Sequence, residues 1–182
     1  RFNPDNPKRI ILAAHYDSQK YAFGDRGGEF NPVPGANNSA SGVAVLVEVA
    51  RFIANAEVLP ESGVDIVFFD GEEGERGVGK GDWQPLGSQY FARHIADIYP
   101  ESKPSAGIVN DMVCDKDFTL KKEPHSVQAA PELVEDLWRV GKRAAPAVFS
   151  DDTSVGINDD HTSLTAIGIS SVLLIDFDYP HN

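Results

Sequence analysis

Four short, largely apolar runs, at residues 9–14, 64–69, 106–109 and 171–175, each lead within two residues to a histidine or an acidic side chain. Continuous apolar runs of this length suit strands buried on both faces, not half-exposed strands that alternate apolar with polar. Between them the pattern changes period. Val43, Leu46, Val47, Val49 and Ala50 recur at helical spacing up to Ala54, with Ser39 or Ser41 placed to cap the segment. A second helix is expected from about residue 88 to 98. A third runs over 127–144, where Val134, Leu137, Trp138 and Val140 face one way. A further short strand is expected at 117–120, and the Gly- and Pro-rich stretch 20–36 reads as a loop.

Strands alternating with helices predict an α/β fold: three layers, α/β/α, around a mixed, largely parallel central sheet. Residues 1–182 are expected to form a single catalytic domain, long enough to bury a real core. In an open sheet of this kind the carboxyl ends of the strands form the crevice where ligands bind. His15, Asp17, Glu72, Glu73, Asp111 and Asp176 all stand at such ends, so residues distant in sequence are expected to converge.

Charge narrows the partners. The net charge of −12 argues against nucleic acid and against an anionic membrane surface. No apolar run is long enough to span a bilayer. Cys114 is the sole cysteine, which leaves neither an intrachain disulfide nor a thiolate metal cluster. A transition-metal site here must draw on His and carboxylate ligands.

Glu72-Glu73 is the sharpest chemical signal. Adjacent carboxylates usually mark an exposed acidic turn. After a buried strand neither can escape far into solvent, and their side chains point apart. One can then hold a metal while the other carries a proton. His15 is a potential metal ligand with Asp17 near enough to orient its ring. Asp159-Asp160-His161 reads equally well as a helix N-terminus or as part of a site. Residues 74–80 (GERGVGK) match the start of a phosphate-binding loop, but Gly81 follows where Ser or Thr is required, and two glutamates precede it. His94 and His125 read as structural or surface residues. No Gly-x-Ser-x-Gly turn supports serine nucleophile chemistry.

HYDS at 15–18, GANNSASG at 35–42, FFDGEE at 68–73, LGSQYFARH at 86–94 and NDDH at 158–161 occur in this order. Together they resemble the zinc-dependent glutaminyl-peptide cyclotransferases, within a superfamily shared with the co-catalytic zinc aminopeptidases. The resemblance spans nearly the whole chain. It implies a zinc-exopeptidase-like fold and a peptide or protein N-terminus as substrate. It also implies a secreted or periplasmic setting, and a monomer is expected. Carried over residue by residue, it makes Glu73 a zinc ligand and Glu72 the general acid/base. Asp111 and Asp159 become a relay beside the substrate. His15 is a site-proximal histidine, which in the aminopeptidase relatives binds a second zinc. Asp160, His161 and Trp83 fall on the substrate side. One Zn2+ is implied for a cyclase and two for an aminopeptidase.

Two departures stand out. The family's zinc-binding aspartate falls on Asn38, a neutral and weaker ligand, and Asn37 before it is also an amide. The chain is expected to be cut at both ends, with the family's Trp-His-Thr ligand segment lying past Asn182. His181 follows Tyr179-Pro180 and is not that ligand. Two rivals to the cyclase remain open: a zinc aminopeptidase hydrolysing N-terminal residues, and a metal-poor, non-catalytic homologue.

Overall fold

The computed structural model describes residues 1–22, 26–28, 30–73 and 83–178. Four parallel strands form the central sheet: β1 (Arg9–His15), β2 (Gly63–Phe69), β3 (Ala106–Asp111) and β6 (Ser170–Ile175). Their order across the sheet is β2-β1-β3-β6. The register sets His15 beside Phe69, Ala13 beside Val109 and Asp111 beside Ile175. An isolated antiparallel bridge joins Phe2 to Val64 of β2. All four carboxyl ends therefore point the same way, as the apolar runs predict.

Both faces of the sheet are covered. Aligned residues of parallel strands share a face, so Ile11, Ala13, Val109, Leu173 and Ile175 bury together. Phe91 of α2 (Leu86–Arg93), Leu164 of α6 (Asp160–Ala166), Tyr99 and Ile169 close over them, with Ile95 and Ile98 of α3 (Ile95–Ile98) at the margin. The opposite face carries Val172 against Val134 and Trp138 of α5 (Pro131–Ala144). Helix α1 (Ala40–Ala54) covers the same side, where Ala14 points. Gly42 permits its close approach: a Cβ there would lie 2.3 Å from the Asn110 carbonyl oxygen.

Several elements differ from the sequence reading. The expected helix over 127–144 is two helices, α4 (Pro124–Ala129) and α5, because Pro131 has no N–H to continue the ladder and Ala130 before it leaves the helical conformation. The expected 88–98 helix breaks at His94 into α2 and α3. The short strand is displaced to β4 (Leu120–Lys122) and pairs with β5 (Phe149–Thr153) in a separate two-stranded sheet. Ser39 takes the N-cap position of α1 as expected, but its side chain makes no capping hydrogen bond. Ser39 Oγ donates to the Asp17 carbonyl and Ser41 Oγ to the Asn37 carbonyl, so both tie the loop to the site below it. Among the described residues, no helix is long and apolar enough to cross a membrane.

Candidate functional site

Adjacent strands β2, β1 and β3 deliver Glu72, His15 and Asp111 to one end of the sheet, and α6 brings Asp159 and Asp160 over them. Gly71, with φ of 68°, makes the turn that lets the chain leave β2 and lay both glutamates inward. Asp17 fixes that turn. Its two carboxylate oxygens accept the backbone N–H groups of Glu72 and Glu73, each at 3.1 Å. At the head of α6, the Asp159 side chain accepts the Asp160 N–H, so Asp159 is a helix cap and a member of the cluster at once.

His15 is wholly buried at the centre. Its Nδ1 stands 3.3 Å from Asp17 Oδ1, and its Nε2 stands 3.2 Å from Asp111 Oδ1 and 3.8 Å from Glu72 Oε2. Burial alone favours the neutral ring. The hydrogen bonds to Asp111 and Asp17, and the charges of Asp111 and Glu72, outweigh it and hold the imidazole up at about 11. Asp17 is pulled below the usual carboxylate range: burial opposes this, but His15 and the two N–H donors prevail.

Three acids of the cluster, Glu72, Asp159 and Asp160, move upward. Burial pushes Glu72 to about 8, with the Glu73, Asp160 and Asp111 charges adding to the rise and His15 opposing it. Asp159 is raised well above its ordinary value, first by burial and then by Asp111, Asp160 and Glu72. Asp160 reaches about 6, burial leading, with the Ser88 hydroxyl and the charge of His15 holding it back. A buried carboxyl that exchanges its proton near neutral pH, fixed beside a permanent cation, is equipped for general acid/base work.

Glu73 is 3% exposed and meets Asn38, whose Nδ2 donates to Glu73 Oε1 at 2.6 Å. Among the described residues the buried Asn38 Oδ1 has no hydrogen-bond partner. Among the described residues no three His, Cys, Asp or Glu side chains converge as a metal-holding group. With an amide N–H directed at the single carboxylate beside it, this pair as it stands does not fit a zinc ion.

Other predicted residues lie elsewhere. His161 is buried, and its Nε2 faces Glu123 Oε2 at 3.4 Å. Trp83 is half-buried, and among the described residues no hydrogen bond joins it to the cluster. Asp176 caps a neighbouring loop by accepting the Thr119 N–H at 2.8 Å. His94 Nδ1 bonds to the Tyr90 carbonyl, and its ring stacks on Tyr90. The 74–80 stretch and His181 lie outside the described residues. Two open cavities of about 380 Å³ each flank α6; one is lined by His125, His161 and Thr165, the other by Gln89, Arg93 and Ser163. Neither includes Glu72.

Glu123 was not singled out in the sequence. It is 1% exposed and accepts four hydrogen bonds, from the His125, Ser126 and Ile157 N–H groups and the Ser126 hydroxyl. A Glu immediately before Pro at a helix start was the available signal.

Comparison with known proteins gives a consistent picture. The model of peptidase family M28 matches residues 1–182. A glutaminyl-peptide cyclotransferase of Bos taurus is 30% identical over 102 residues, covering 52% of this chain and 26% of that protein. The glutaminyl cyclase of Tannerella forsythia superposes at a TM-score of 0.86 with 35% identity, covering all of this chain and 63% of its own. A Zn-dependent exopeptidase from Parabacteroides distasonis gives 0.87 and 33%, over 100% of this chain and 63% of that one. The chain has the zinc-exopeptidase-like fold and spans less than two thirds of each of these relatives.

Proposed function

The chain belongs to peptidase family M28, and on that premise we propose that its strand-end site acts on a peptide N-terminus, cyclising N-terminal glutamine to pyroglutamate. The observation that carries this reading is Glu72: a buried carboxyl brought to about 8 and fixed 3.8 Å from His15. The resemblance to glutaminyl cyclases supports the same choice.

Cyclisation needs a proton moved, because the nucleophile is the substrate's own α-amine. The bond from that nitrogen to the side-chain carbonyl carbon forms, and the bond from that carbon to the amide nitrogen breaks. Glu72 takes a proton from the attacking amine and delivers it to the departing nitrogen, which leaves as ammonia. Asp111 holds His15 in place, and Asp159, whose burial among Asp111, Asp160 and Glu72 favours its neutral form, is the proposed hydrogen-bond partner of the substrate. Asp160 and Trp83 are the proposed substrate-facing residues. His161, turned to Glu123, is given an indirect part in positioning α6. A secreted or periplasmic monomer accompanies this reading.

Similarity to the exopeptidase favours a second reading, hydrolytic release of the N-terminal residue. The Asn38–Glu73 bond favours a third, a homologue without turnover. One experiment separates them. The full-length protein is incubated with a glutaminyl peptide and an aminoacyl amide, and the products are read by mass spectrometry. Pyroglutamyl peptide supports the cyclase. Free amino acid supports the exopeptidase, and unchanged substrates the third reading.

A further inference from the structure

We infer that in this chain the Asn38 carboxamide takes the place of a metal cation, forming with Glu73 a hydrogen-bonded pair that lets the site fold without zinc. The inference concerns how the site is held together and stands apart from which reaction it performs.

The backbones on either side are fixed by one residue. Asp17 accepts the Glu73 N–H through its side chain at 3.1 Å, and its carbonyl accepts the Ser39 hydroxyl at 2.7 Å. Next to Asn38, the Asn37 carbonyl accepts the Ser41 hydroxyl at 2.6 Å, and Asn37 Oδ1 accepts the Cys114 N–H at 3.0 Å. Side chains 38 and 73 are thereby brought face to face whatever residues stand there. Two carboxylates held 2.6 Å apart would repel strongly in this buried place unless a cation lay between them or a proton were shared. An amide at position 38 removes the conflict, because its N–H group donates where a second carboxylate could only accept. The opposite amide orientation would set two acceptors against each other, so the hydrogen-bond network itself assigns the nitrogen toward Glu73. The consequence is visible on the other side of the amide, where among the described residues Oδ1 has no hydrogen-bond partner. A network built around a bound cation would direct that oxygen, not the N–H group, toward the ion.

The test uses the full-length protein, as wild type, Asn38→Asp and Asn38→Ala. Each is dialysed against chelator, re-exposed to zinc and desalted; bound zinc is then measured by mass spectrometry and thermal unfolding is followed in both conditions. The wild type is expected to retain far less than one zinc per chain and to melt at the same temperature with chelator or with zinc. Asn38→Asp is expected to retain zinc and to melt several degrees lower in chelator than in zinc, since a ligand bound only to the folded state raises its stability by mass action. Asn38→Ala, which removes the donor and adds no charge, is expected to melt below the wild type in both conditions. A wild type that carries one zinc per chain, or that loses several degrees in chelator, would overturn the inference. So would an Asn38→Asp protein indifferent to zinc, or an Asn38→Ala protein as stable as the wild type. If Asn38→Asp fails to fold in either condition, the wild type and Asn38→Ala decide. None of these readouts depends on glutamine cyclisation, so failure of the proposed reaction leaves them unaffected.

Discussion

Asp17 Oδ1 lies 3.1 Å from the backbone nitrogen of Glu72, so the side chain after β1 holds the main chain after β2. The same carboxylate holds the Glu73 nitrogen and faces His15 Nδ1. Replacing Asp17 by Ala leaves two N–H donors and a buried imidazolium without their acceptor. Each lost partner of a buried polar group costs about 1–3 kcal/mol. Urea unfolding is expected to show a loss of that order or more, and any turnover of the full-length protein should fall with it. An Asp17→Ala protein as stable as wild type would show that the turn is held by other contacts.

If Glu72 is the proton carrier, it must be ionised to accept the amine proton. With its proton exchanging at about 8, kcat/KM should climb as pH rises through that value and level off above it. The Glu72→Gln variant should lose roughly 10²–10⁴-fold in rate and show no such limb, while melting close to wild type. Retained turnover in Glu72→Gln would assign the base to another residue.

The location of this chemistry was legible in the sequence, because apolar runs that end in His15, Glu72 and Asp111 leave a parallel sheet few other ways to arrange them. The upper half of the site was less so. Asp159 and Asp160 read equally well as capping residues or as part of a site, and α6 packing onto β3 shows that capping and clustering coexist. Strand β5 was invisible because Ser150, Asp151 and Asp152 carry no apolar period; tertiary pairing with β4 creates it. Glu123, between Lys122 and Pro124, carries no apolar pattern that would mark it as buried. Its burial comes from contacts made after folding, with His161 and the Ile157 N–H, which no local pattern encodes.

Arg9 and Asp65 form a second buried ionic group, on β1 and β2. Arg9 Nε donates to Asp65 Oδ2 at 3.0 Å, Nη2 bonds the other oxygen, and Tyr99 Oη donates to Oδ2 at 2.6 Å. Asp65 is 2% exposed, so removing it strands a guanidinium in the interior. Asp65→Ala is expected to cost about 3–5 kcal/mol, and Tyr99→Phe about 1 kcal/mol, both by chemical denaturation. The double replacement Arg9→Met with Asp65→Leu should be far milder than Asp65→Ala alone, because no buried charge is left unpaired and Arg1, the other partner of Asp65, is half-exposed. A double variant as unstable as the single one would show that packing, not charge, dominates this corner.

Glu123 ties α4, α6 and β6 together: it accepts the Ser126 hydroxyl at 2.8 Å, and that hydroxyl in turn accepts the Leu173 N–H at 3.0 Å. Burial alone would raise its pKa. His161, the His125 and Ser126 N–H groups and the Ser126 hydroxyl overcome that and bring it from 4.5 to about 2. A carboxyl whose folded value is depressed contributes stability that is fully present above its unfolded value and is lost as pH falls through the folded one. The window is therefore pH 4.5 down to 2, and the contribution above it is about 3 kcal/mol. In Glu123→Gln the amide turns a donor toward N–H groups that need an acceptor, so the variant loses the ionised form and one of its two acceptor oxygens together. The stability gap between wild type and Glu123→Gln, from urea melts at a series of pH values, should be widest near neutrality and narrow steadily below pH 4.5. Acidification removes in the wild type what the substitution has already removed in the variant. A gap that stays constant down to the acid transition would mean that the ionised carboxylate is not what joins the two helices to β6.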